Sequence, residues 1–177
     1  MSRASSGGRT RSARPAGVTA RARSWRVGDV YLVPVIGGRF GCAWLLGMPS
    51  VAFFDPGSDP NLEDPASLVA GPTLFTLMAR TTALRSWRYV GSLPLDSRVV
   101  EHPFYFKQDV LTGVLTKIRA GAEISATRDE CLQLERAAVW EPDHIKERLE
   151  DQYAGRQNYW VSHSRERLLH LVSYSRL

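Results

Sequence analysis

Two cysteines and four histidines are the residues of this chain best suited to chemistry. A nucleophile needs a neighbouring base, and the base needs an acid to orient it. Cys42 lies in the apolar run 41–46, where an inert, buried thiol is the expectation. Cys131 lies just inside a short helix predicted after Thr127. A helix N-terminus lowers a thiol pKa, but Asp129 and Glu130 beside it push the other way. The candidate bases are His102, His144, His163 and His170. His144, with Asp143 beside it and Arg148 four residues on, reads as a surface histidine. Glu130 and Glu135 could act as a paired acid and base, yet charged helix faces are usually only solvated. No Gly-x-Ser-x-Gly, His-Glu-x-x-His or Cys-x-x-Cys motif occurs. The glycine-rich run 37–41 leads into a strand and not into the helix a phosphate loop requires. The acids Asp55, Asp59, Glu63 and Asp64 lack the alternation and the glycine of a calcium loop. The expectation is a protein with no catalytic residue, no cofactor and no metal.

Charge is distributed unevenly. The chain has 177 residues and a formal net charge of +5. Residues 1–24 hold six arginines (Arg3, Arg9, Arg11, Arg14, Arg21, Arg23) and no acid. Removing those six from the net +5 leaves −1 for residues 25–177. The basicity therefore belongs to the tail, which has almost nothing large and apolar to bury. It is expected to be disordered, and no apolar segment follows it as in a secretory signal. A nucleic-acid-binding small β-barrel using this Arg-rich tail is the alternative function, although no specific nucleic acid is expected. Within 123–151 there are nine acids against four bases. A second acidic stretch occupies 55–72. If the two share a face, they would steer a basic protein partner.

The elements that must position these residues are mostly strands. Val27 to Val35 alternates, with Val27, Tyr31 and Val33 on one side and Val30 and Leu32 on the other. Gly37-Gly38 marks a hairpin, Arg39 to Leu46 returns, and Val51 to Phe54 adds a third strand. Residues 55–72 read as a long acidic loop. Strand character returns at Thr73–Arg80, Arg85–Leu93 and Pro103–Phe106, and at a hairpin around Ala120-Gly121. Thr127-Arg-Asp-Glu130 is a capping box for a short helix. Pro142 opens a longer helix with Ile145, Leu149 and Tyr153 as its apolar stripe and Gly155 as its stop. Trp160-Val161 reads as extended. The fold class is α+β: mostly antiparallel, about seven or eight strands, partly barrel-like, with one or two C-terminal helices. Residues 1–24 form the tail and 25–177 a single domain. No apolar run approaches a membrane span. Two thiols fit a reducing cytoplasm.

Several blocks resemble the immunity protein 26 family of bacterial polymorphic toxin systems. They are Val27-Gly-Asp-Val-Tyr-Leu-Val-Pro-Val35, Gly38-Arg-Phe-Gly-Cys42, Ala52-Phe-Phe-Asp55 and Trp87-Arg-Tyr-Val-Gly91. The run from Ala126 through Leu134-Glu-Arg-Ala-Ala-Val-Trp140 to Gly155 is the most specific part. The likeness covers roughly residues 26–162, leaving the Arg tail outside. It implies a non-enzymatic protein that binds a cognate toxin domain made by the same cell and blocks it by occlusion; a monomer in the cytoplasm is the expectation. Toxins of such loci are often nucleases, and a basic nuclease would suit the acidic stretches. Trp140 and the Ala137-Ala138 pair read as core packing. The toxin-binding candidates are Glu141, Asp143, Glu147, Glu150 and Asp151 on the predicted helix, with Asp59, Glu63 and Asp64 in the loop. Asp143, Glu147, Glu150 and Asp151 form one row at helical spacing.

Overall fold

Residues 24–57 and 61–170 are described by a computed structural model. Successive side chains of a strand point to opposite faces, and here both faces are apolar. In β1 (Asp29–Pro34), Tyr31 and Val33 face one way and Val30 and Leu32 the other. The same holds in β2 (Phe40–Leu45), where Ala43 and Leu45 oppose Cys42 and Trp44. In β3 (Ser50–Phe54), Val51 and Phe53 oppose Ala52 and Phe54. A sheet made of such strands must be covered on both sides. With β4 (Thr73–Ala79), β5 (Arg88–Ser92) and β10 (Val139–Trp140) they form a six-stranded sheet in the order β10-β4-β3-β2-β1-β5.

The first face packs under α3 (Pro142–Tyr153), whose Ile145 and Leu149 are completely buried against Tyr31, Leu45, Phe53 and Leu77. Gly41 permits that approach, because a Cβ there would lie 2.8 Å from Leu149 Cδ1. The opposite face packs under the 61–69 segment and the irregular segment that follows β5. Leu68 and Val69 are buried there, with Leu62, Leu93 and Leu95 at the margin. The predicted loop at 55–72 thus contains a helical turn, α1 (Pro65–Leu68). Its cap is Asp64, whose carboxylate accepts the Ala66 and Ser67 amides at 3.1 Å each.

A second sheet takes the order β8-β7-β6-β9, from β6 (Tyr105–Gln108), β7 (Leu115–Arg119), β8 (Ala122–Ser125) and β9 (Glu135–Arg136). The β7–β8 turn falls where Ala120-Gly121 predicts it, with positive φ of 48° and 83°. Thr127 and Glu130 close the expected capping box at the start of α2 (Arg128–Leu132). Phe106, Cys131 and Leu168 form this sheet's small core, joining α2 to α4 (Tyr159–His170).

The α+β class holds, with three corrections. The described residues contain ten strands and not seven or eight. The surplus is β9 and β10, two residues each, which pair in parallel with β6 and β4. They lie in one chain segment that ties the small sheet to the large one. The sheets are open, with edges at β5, β8, β9 and β10, so no closed barrel forms. Finally, 159–170 is helical and Trp160-Val161 is not extended. Asn158 caps that helix: its carbonyl accepts the Ser162 amide at 3.1 Å and its side chain the Val161 amide at 3.4 Å. No helix among the described residues is long and apolar enough to cross a membrane.

Candidate interaction surface

The acidic candidates at α3 divide into half-buried members bonded to other parts of the fold and exposed ones. Glu141 takes the Nε–H of Arg80 at 2.6 Å, fastening the start of α3 to the end of β4. Glu150 accepts the Ile36 amide at 3.3 Å, in the turn between β1 and β2. Asp151 accepts Arg156 Nε at 2.9 Å and Asn158 Nδ2 at 3.0 Å, which fixes the connection to α4. Asp143 and Glu147 are the exposed members of the row. Asp143 lies in the first turn, where a negative charge suits the helix dipole.

The loop candidates sit elsewhere. Asp64 is committed to capping α1, and Glu63 is exposed. Asp59 lies outside the described residues. The 61–69 segment covers one face of the large sheet and α3 the other. The two acidic stretches therefore do not merge into one flank, and the condition under which they would act together is not met. The physical reason is strand parity. Leu68 and Val69 dock on the face of Val30 and Leu32, whereas Ile145 and Leu149 dock on that of Tyr31 and Val33.

Beside Asp143 and Glu147 lies a feature that the charge pattern did not reveal. Four aromatic rings contact one another in series across α3 and α4. His144 packs on Trp160 with centroids 4.4 Å apart, and Trp160 meets Tyr159 edge-on at 5.2 Å. Tyr159 stacks on His163 at 5.7 Å with the planes 9° apart. The Trp160 indole donates to Glu147 Oε2 at 3.3 Å, joining the acid row to the ring series. Tyr159 is 65% and Trp160 37% exposed, unusual for rings of this size. Val139, 49% exposed, lies in β10 next to Trp140. Large aromatics packed on one another at a surface beside charged neighbours are the composition of protein-binding hot spots. One signal for this site was legible: Asn158 as a helix cap places Tyr159 and His163 one turn apart.

The thiols are not primed for attack. Cys42 is fully buried, and desolvation pushes its pKa up to about 12. Cys131 is buried too, and its pKa is raised first by desolvation and then by the charge of Glu130. Among the described residues no group of three or more His, Cys, Asp or Glu could hold a metal ion.

A scan against family models, a search of curated proteins and a search of solved structures each return no match for this chain.

Proposed function

We propose that this chain is an immunity protein: it binds a cognate polymorphic toxin domain in the cytoplasm and neutralises it by one-to-one occlusion, without chemistry of its own. The observation that carries the proposal is the exposed aromatic series Tyr159–Trp160–His144 abutting Asp143 and Glu147. Rigid Trp and Tyr side chains supply contact area at small entropic cost, and the adjacent acids bias the choice toward a basic partner. A nuclease, which must attract phosphate, is such a partner. The resemblance of 26–162 to the immunity family points the same way. Asp143 and Glu147 are the contact acids, while Glu141, Glu150, Asp151 and Asp64 act inside the fold.

The test is co-expression with the toxin domain encoded beside this chain. Restored growth, together with a stoichiometric complex on size exclusion, is the expected result. A folded chain that neither binds nor protects overturns the proposal. So does affinity for nucleic acid that falls steeply with salt and disappears in a chain starting at Ser24.

A further inference from the structure

Under the aromatic series, a pocket of about 360 Å³ opens between β9–β10 and α4. Phe106, Trp140 and Trp160 form its apolar walls. Arg136, Arg165, His144, His163 and Ser164 are among its polar lining residues. Its charge is one-sided. The single acid in the wall, Glu135, has both carboxylate oxygens occupied by the Arg148 guanidinium. Arg136 and Arg165 have no acidic partner among the described residues. Two arginines thus line an aromatic cavity whose one carboxylate is already engaged in an ion pair. A guanidinium fork donates paired hydrogen bonds to a carboxylate, and indole faces stack on flat rings. The volume is at the small end of ligand cavities, which run from about 300 to 1,000 Å³, and suits one ring with a short arm.

We propose that this pocket binds an aromatic carboxylate, with the ring between Trp140 and Trp160 and the acid on Arg136 and Arg165. The same chemistry could arrive as a free aromatic acid or as the C-terminal aromatic residue of a polypeptide. The inference does not rest on toxin neutralisation: its test uses the purified full chain alone, so either proposal can fail while the other stands.

The experiment titrates the protein with phenylacetate, N-acetyl-L-phenylalanine and N-acetyl-L-phenylalaninamide, following indole N–H and backbone amide shifts by NMR. Saturable binding of an acid is expected, with shifts centred on Trp140, Trp160 and Arg136 and binding of the neutral amide at least tenfold weaker, roughly what one charge-assisted hydrogen bond supplies. A preference for N-acetyl-L-phenylalanine assigns the pocket to polypeptide C-termini, and a preference for phenylacetate assigns it to free acids. Arg165 is exposed on α4, so Arg165→Gln should fold normally and weaken acid binding by a further factor of roughly ten. Arg136→Gln is the second variant and should act in the same direction. Equal binding of acid and amide, no binding of either acid at about 10 mM, a range well above typical ligand Kd values, or affinity unchanged in both variants overturns the proposal.

Discussion

The guanidinium of Arg148 grips both carboxylate oxygens of Glu135, at 3.1 and 2.5 Å. Arg148 belongs to α3, over the large sheet, and Glu135 to β9, at the edge of the small one. The same guanidinium lies over the Phe75 ring at 4.0 Å and near Trp140 at 5.1 Å. One side chain thus ties together the two sheets and the helix that carries the candidate interaction surface. It also offsets the charge of Glu135, which lines the pocket between β9–β10 and α4.

Breaking this pair should cost more than removing it. Arg148 is 8% exposed at its side chain and Glu135 26%. Arg148→Ala leaves a half-buried carboxylate without a partner, and should lower stability by about 2–4 kcal/mol. The double change Arg148→Met with Glu135→Leu should cost less than Arg148→Ala, because no charge is then stranded. Urea unfolding of both variants checks the order. A double variant less stable than the single would contradict it.

Acid should weaken the small sheet through Glu130. Its carboxylate accepts Lys117 Nζ at 2.5 Å and the Thr127 amide at 2.8 Å. The bond to Lys117, the largest cause, and those to Thr127 hold its pKa at about 2, against an ordinary 4.5. A depressed carboxylate contributes stability above its unfolded pKa and loses it as pH falls through the folded one. The loss should therefore run from about pH 4.5 down to about pH 2. Glu130→Gln should flatten the melting temperature across that window, and a carboxyl NMR titration should place the group near its low end.

Both thiols should resist modification in the native state. The thiolate is the reactive species, and burial holds the Cys42 thiol protonated up to about pH 12. At pH 8 a disulfide reagent should label neither Cys42 nor Cys131 until denaturant is added, and then both. The linked stability change has the opposite sense to that of Glu130. It is constant at low pH and declines as pH rises past the unfolded thiol value of 9.0. Rapid labelling of a native thiol would contradict this assignment.

The acids of α3 should separate by function. Trp160→Ala should weaken toxin binding by about 2 kcal/mol, the size of a hot-spot loss, with little change in stability. Glu147→Ala should act in the same direction, because it frees the Trp160 indole. Asp151→Ala should instead lower stability by about 1–2 kcal/mol, since it strands the buried Asn158 amide. Pairing a binding measurement with thermal unfolding separates the two classes. The row divides incorrectly if Asp151→Ala weakens binding while stability stays unchanged.

Much of this fold is legible in the chain. The apolar alternation within 27–35, the turn at Ala120-Gly121, the capping box at Thr127 and Pro142 at a helix start are local signals; the last three formed where they were expected, and the first gave a strand over 29–34. They act through a few neighbouring residues, so no distant contact was needed to read them. The second face of the central strands was equally present: Val30, Leu32, Cys42, Trp44, Ala52 and Phe54 require a cover. What filled that role was not evident, because residues 55–72 read as loop.

The rest was decided at long range. Two-residue strands such as β9 and β10 carry no periodicity, and they exist only because β6 and β4 offer unpaired edges to them. Tyr159-Trp160-Val161 has strand-forming composition, yet the cap at Asn158 and the burial of Leu168 against Phe106 and Cys131 make it helix. The candidate surface followed from that reversal, since His144 and Trp160 meet only when both lie on packed helices. The amino-acid sequence alone determined how many acidic and aromatic side chains this protein carries. Which acids stand together was decided by the face on which each covering segment packs, because successive strand residues present apolar side chains to opposite sides of the large sheet.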